Sequence, residues 1–117
     1  RAFLAWGPPR AIAPARDTQL RRLARQPNLL LDIEPSKSSV AELAERTRAR
    51  GFASIEGRFI PGLVAAAAPI LDWQSEAQAA VTLVGTDPAA VAEAAAQTDL
   101  LLAYCAAKSV VRENAKV

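Results

Sequence analysis

Residues 48–85 read RARGFASIEGRFIPGLVAAAAPILDWQSEAQAAVTLVG, and this stretch decides the fold. It reads as a helix end, a strand, a second strand, a turn and a returning strand. Gly51 supplies the left-handed residue that commonly closes a helix, and Arg46, Arg48 and Arg50 occupy the last turns, where the helix dipole is negative. Residues 52–55 form the first strand candidate, ended by a polar break at Glu56-Gly57-Arg58. Phe59, Ile60 and Pro61 then lead to Gly62. Residues 63–71 alternate, with Leu63, Ala65, Ala67 and Leu71 on one face and Val64, Ala66, Ala68 and Ile70 on the other. Pro69 has no amide donor, which predicts an edge, a bulge or a strand end at that point. A polar segment at 72–76 turns the chain. Residues 78–84 return with Ala80, Thr82 and Val84 on one face and Ala79, Val81 and Leu83 on the other.

Four consecutive alanines are unusual in a strand, because alanine has modest strand propensity and little cross-strand contact area. Helical periodicity competes for this run, but Gly62 and Pro69 bound it closely and branched residues follow it, which favours a strand. Small side chains leave two readings side by side. A helix packs tightly on the sheet, or one face carries a concave, partly polar pocket in which Thr82 offers the only hydroxyl among the inward candidates.

The flanking segments read as helices. Ser39 and Glu42 have capping-box spacing, and Val40, Leu43, Ala44 and Thr47 form one stripe, which predicts a surface helix laid on the sheet. Upstream, Asp17 is a candidate cap for a short helix with Leu20, Leu23 and Ala24 on one side, stopped by Pro27. Leu29-Leu30-Leu31 with Ile33 reads as a short buried strand or an apolar tether. After Gly85, Thr86 or Asp87 is expected to cap a long helix with Pro88 near its first position, where a missing donor costs least. Val91, Ala95, Thr98, Leu102 and Cys105 run down one side of it, widened by Leu101 and Tyr104, and this apolar face can cover the sheet or another subunit. Residues 113–117 are expected to fray. At the other end Arg1-Ala2-Phe3-Leu4-Ala5-Trp6 starts without a cap and Gly7-Pro8-Pro9 ends it, which points to further chain upstream.

Composition narrows the function classes. A chain of 117 residues, 51% hydrophobic, supports one core and not two. The net charge of +2 is unevenly spread: residues 1–50 hold ten Lys/Arg against five Asp/Glu (+5), and residues 51–117 hold four against seven (−3). No basic cluster interleaves with aromatics, so a solvated helix face explains the positive half better than nucleic-acid contact. The single Cys105 has no internal disulfide partner, and without histidine it builds neither a Cys–His nucleophile nor an ordinary zinc site. In an alanine-rich helix it reads as a small apolar residue. With no signal peptide and no apolar run of spanning length in these residues, a reducing cytoplasm fits.

The order and spacing of several segments resemble the C-terminal part of the effector-binding domain of IclR-family bacterial transcriptional regulators, over nearly the whole chain. Arg1-Ala2-Phe3-Leu4-Ala5 is similar to the family's Gly-Lys-Ala-Leu-Leu-Ala helix. Thr47-Arg48-Ala49-Arg50-Gly51-Phe52 resembles its helix end. Gly62-Leu63 and Ala67-Ala68-Pro69-Ile70-Leu71-Asp72 resemble its strand, and Ala80-Val81-Thr82-Leu83-Val84-Gly85 resembles the returning one. The resemblance implies a GAF-like α/β (α+β) fold, an antiparallel sheet flanked by helices with a long C-terminal helix. Residues 1–117 would then be one partial effector-binding domain. The family's N-terminal winged helix-turn-helix and the first strands of its effector domain do not occur in this sequence. The implied partners are a small-molecule effector, further copies in a homodimer or homotetramer, and DNA only through the missing domain; no cofactor, metal or membrane is implied.

Carried over one position at a time, the resemblance places five residues at the ligand: Ile55, Leu63, Ala65, Thr82 and Val84. Ile55 stands where members that bind small oxo acids can have Asp. Leu63 keeps an apolar wall, and Ala65 stands where Cys can occur. Thr82 matches a serine hydroxyl, and Val84 replaces another. The loop that anchors a ligand carboxylate through backbone amides would precede Arg1. An unpaired buried polar group costs about 1–3 kcal/mol, so the lost polar partners point away from a two-carbon oxo acid and towards an aromatic or branched carboxylic acid. Two rivals accompany this reading. One is an oligomerisation module with its pocket closed by alanine packing. The other is an enzyme, disfavoured because no histidine is present and Glu56 and Asp72 fall at strand ends or turns.

Overall fold

The computed structural model describes residues 1–26, 34, 36–56, 60–93 and 95–110. Three strands make one antiparallel sheet in the order β1 (Ala53–Glu56), β2 (Val64–Leu71) and β3 (Ala77–Gly85). Its register puts Ala53, Ala67 and Thr82 in one row and Ile55, Ala65 and Val84 in the next, so these six share a face. The opposite face carries Val64, Ala66 and Ala68, all buried, with Ile70 and Val81 packed beside them. The alternation expected over 63–71 is therefore present, with Leu63 just outside the strand. Pro69 lies opposite Ala80, two residues beyond the last β1 pair at Ala67, so on that side β2 is a local edge. A register shift follows at Ile70/Leu71.

The turn between β2 and β3 is held by Asp72. Its Oδ1 accepts from the amides of Gln74 (2.9 Å) and Glu76 (3.0 Å), its Oδ2 accepts from Gln78 Nε2 (2.8 Å), and Ser75 takes a positive φ of 62°. Asp and Ser are suited to such turns because their short polar side chains satisfy nearby backbone donors.

The helices are α1 (Ala2–Trp6), α2 (Pro9–Arg25), α3 (Lys37–Arg50) and α4 (Ala96–Lys108). Four details depart from the sequence reading. Helix α2 starts at Pro9, with Pro14 inside it, so Asp17 lies mid-helix, where its Oδ1 accepts from Arg16 Nε (3.1 Å) and caps nothing. Proline at a first helical position forfeits no bond, which is why Pro8-Pro9 starts a helix as well as ending one. Helix α3 is capped by Ser36, whose hydroxyl accepts from Ser39 N (3.2 Å), three residues earlier than the Ser39 expectation. Gly51 closes α3 as expected, at φ 88°. Helix α3 packs chiefly on α1 and not on the sheet, burying Val40, Ala44 and Thr47. Finally, the long helix expected after Gly85 is two elements, a 3-10 turn at Pro88–Val91 and then α4. Asp87 does cap the first of these, accepting from Ala89 N (3.0 Å), and buried Thr98 donates to Ala90 O (3.2 Å), tying the two together. Residues 29–31 and 33, and residues 113–117, lie outside the described residues.

One core gathers Phe52, Val64, Ala66, Ala68, Val91, Leu101 and Cys105 between α4 and the sheet. Alanine suits β2 here because α4 and the 3-10 turn press on that face. Beyond α4 the chain grips the end of β2. Ser109 Oγ accepts from Leu71 N (2.9 Å) and donates to Cys105 O (2.7 Å), and Val110 N donates to Leu71 O (2.9 Å). A Ser109→Ala variant removes the partner of the part-buried Leu71 amide and should lose about 1 kcal/mol in urea unfolding; an unchanged midpoint would show that water replaces the hydroxyl.

The mixed architecture of four helices and a three-stranded antiparallel sheet is the α+β, GAF-like arrangement that the resemblance implied.

Candidate functional site

The two faces of the sheet meet different neighbours. Helix α1 lies over the face opposite the core, with Ala2 and Ala5 buried beneath it. It is held there from α3, where Arg48 Nη1 donates to Ala5 O (2.9 Å), and its C-terminal joint to α2 is tight. A Cβ at Gly7 would collide with Phe3 O and come within 2.6 Å of Ile12 Cγ1, so this joint requires glycine.

Between α1 and the sheet is a cavity of about 190 Å³, lined by Arg1, Ala2, Ala53, Ser54, Ile55, Ala65, Ala67 and Thr82. Its floor is the two rows set by the register, and its walls are mostly methyl groups. Among the described lining residues Arg1 has the only charged side chain, a guanidinium with donors and no acceptor. The Ser54 hydroxyl accepts from Arg50 Nη1 (3.2 Å), whose guanidinium carbon also stands 4.3 Å from the centre of the Phe52 ring. Thr82 Oγ1 has no hydrogen-bond partner among the described residues and is open to a ligand.

Of the five residues placed at a ligand by resemblance, Ile55, Ala65 and Thr82 come together in this cavity. Val84 shares their face opposite Ala65 but is 66% exposed, and Leu63, 38% exposed, precedes β2; neither is among the described lining residues. The sequence reading missed Arg1, Ala2, Ala53, Ser54 and Ala67. Ala53 and Ala67 were findable from register, since each lies in the Thr82 row. Arg1 and Ala2 were not, because only the tertiary placement of α1 brings them to the sheet.

A larger groove of about 300 Å³ runs between α1, α2 and α3, past Ile12, Leu20, Leu23 and Leu43. Helix α2 buries none of its residues, so this is a surface furrow without the convergence found at the sheet. Cys105 lies on the core face, its Sγ 3.6 Å from Ala68 O, and burial pushes its thiol pKa up, which keeps it protonated and unreactive. The described residues include no group of three or more His, Cys, Asp or Glu placed to hold a metal ion, and no helix among them is long and apolar enough to cross a membrane.

No protein-family model and no curated protein matches the chain. Solved structures do. HmgR of Pseudomonas aeruginosa is 30% identical over 92% of this chain and 40% of its own, with a TM-score of 0.70. An IclR transcriptional regulator from Alicyclobacillus acidocaldarius is 20% identical over the same shares, with a TM-score of 0.59. The repressor BlcR of Agobacterium tumefaciens is 24% identical over 69% of this chain and 33% of its own, with a TM-score of 0.54; these last two likenesses speak to the fold alone. The chain spans two fifths or less of the length of these structures. These matches, over 92% of the chain in two of the three structures and at 30% identity in one, support its assignment as an IclR-type regulator C-terminal domain.

Proposed function

We propose that this domain senses a small carboxylate-bearing metabolite with a mostly apolar body, held between α1 and the sheet, and that binding modulates DNA contact by a winged-helix domain elsewhere on the polypeptide. The observation that carries the proposal is the cavity over the Ala53-Ala67-Thr82 row, where methyl walls surround one open hydroxyl and one cation. Its volume of about 190 Å³ is below the ~300–1,000 Å³ of drug-sized pockets, which favours the small end of the aromatic and branched acids. Ile55 in the row above offers no hydrogen bond to a second polar group on the ligand. The protein acts by binding and not by turnover, in the cytoplasm, and its copies associate. Binding alters DNA affinity only to the extent that the ligand prefers one arrangement of the DNA-binding domains.

The same small volume favours the second reading, an oligomerisation module with a closed pocket. Calorimetry of the complete polypeptide against glyoxylate, pyruvate and a set of aromatic and branched acids separates the two. We expect an aromatic or branched acid to bind and to raise the melting temperature, since a ligand specific for the native state stabilises it. Tightest binding of glyoxylate or pyruvate would reject the ligand class, and no melting shift with any acid would favour the closed module. Thr82→Val should then weaken the bound acid by about 1 kcal/mol, roughly fivefold. Equal affinity would return Thr82 to a packing role.

A further inference from the structure

Helix α1, the roof of the cavity, has five residues and is too short to be stable by itself, since nucleating a helix costs more than a single turn returns. No side chain caps its N-terminus, and its C-terminus is left open by the sequence. In a continuing helix Leu4 O and Ala5 O would accept from the amides four residues on, but those residues are Pro8 and Pro9, which have no N–H. Ala5 is buried, where an unmatched carbonyl is costly, and its donor comes from another helix: Arg48 Nη1 at 2.9 Å. A charged donor makes the stronger kind of hydrogen bond. The place of Arg48 is fixed from the core side, because Thr47 beside it is buried, Gly51 turns the chain and Phe52 sinks into the core. Arg48 is not among the described lining residues, so it meets the roof and not the contents of the cavity.

We infer that Arg48 is a positioning residue for this cavity: it supplies the donor that Pro9 cannot, and so holds α1 over the Ala53-Ala67-Thr82 row in the arrangement that binds. Only molecules with α1 docked present a roofed cavity, so apparent affinity scales with the docked fraction. Arg48 thereby sets how tightly an acid is held without touching it, whereas the lining residues set which acid is preferred. The effect on affinity rests on the proposed function; the docking of α1 does not.

Hydrogen exchange and calorimetry of the complete polypeptide test both parts, with benzoate and 3-methylbutanoate as the aromatic and branched acids. Arg48→Met keeps the aliphatic stem and removes the donors. It should speed exchange of the Ala5 and Gly7 amides, which donate to Arg1 O (3.1 Å) and Phe3 O (2.7 Å), by about tenfold or more, the ordinary worth of a bond from a charged donor, while β2 exchanges as before. Affinity for whichever acid binds the parent should fall by a similar factor, and Arg48→Lys, which keeps a charged donor, should recover part of both. Arg46 is exposed on the same helix, and Arg46→Met, which removes the same charge, should change neither. Equal effects of Arg46→Met and Arg48→Met would assign the loss to the charge of the domain and overturn the inference. Unchanged α1 exchange would overturn it too, as would acceleration shared with β2, which marks a loss of global stability, or acceleration of α1 with no loss of affinity. A parent that binds neither acid overturns the ligand class of the proposed function; faster exchange confined to α1 would then still establish Arg48 as the anchor of the roof.

Discussion

Ala66→Leu and Ala68→Leu should each lose about 1–3 kcal/mol of folding stability, the usual cost of overpacking a filled core, whereas Ala65→Leu and Ala67→Leu should keep stability and lose ligand. The four positions are consecutive and chemically identical, so propensity cannot separate them; only the side of the sheet can. Ala66 and Ala68 are 1% and 0% exposed beneath α4 and the 3-10 turn, with no room for three further carbons. Ala65 and Ala67 are half-buried and line the cavity under α1, so a leucine there occupies the space proposed for the effector. Urea unfolding of all four variants, followed by calorimetry of the two stable ones with whichever acid binds the parent, reads both halves. Four equal losses of stability would mean that the space under α1 is a packing gap and not a site.

Phe52→Ala should be the most damaging single change in the core, at about 3–5 kcal/mol. Phe52 is 1% exposed and is the largest fully buried apolar side chain among the described residues, in a core otherwise built from alanine, valine, leucine and cysteine. Its position is fixed from both sides, by the left-handed Gly51 before it and by β1 after it, so collapse around the missing ring is hindered. A domain of ordinary stability, about 5–15 kcal/mol, would be brought close to unfolding. Thermal and urea unfolding monitored by circular dichroism would measure the loss, and a change below about 1 kcal/mol would show that α4 closes over the gap.

What the sequence revealed about this fold was local. Gly51 announced its helix end because few residues tolerate a φ near +90°, and residues 63–71 announced their two faces because a period of two survives even when every side chain is small. The turn at 72–76 was legible for the same reason. Where two local rules competed, the sequence misled. Pro8-Pro9 satisfies both the end of α1 and the start of α2, and the better-known cap residue Asp17 drew the boundary nine residues late. Ser36 and Ser39 both qualify as caps, and only the built helix shows which hydroxyl meets which amide. The break between the 3-10 turn and α4 has no Gly or Pro to mark it; it is held by Thr98 reaching back to Ala90 O, a contact that exists only once the chain is folded.

The site was half legible for a related reason. Thr82, Ala65 and Ile55 could be found because the register of a sheet follows from its strands. The roof could not, since α1 reaches the sheet through Arg48 and the joint at Gly7, and neither contact has a periodic signature.

The alternation along β2 also bears on how such a domain diversifies. Positions 64, 66 and 68 answer to folding and, under the proposed function, positions 65 and 67 answer to recognition, on one backbone with one register. A lineage can therefore change what it recognises by substitution at every second residue of a strand whose other residues stay constrained. New specificities become reachable by single steps that leave the scaffold intact.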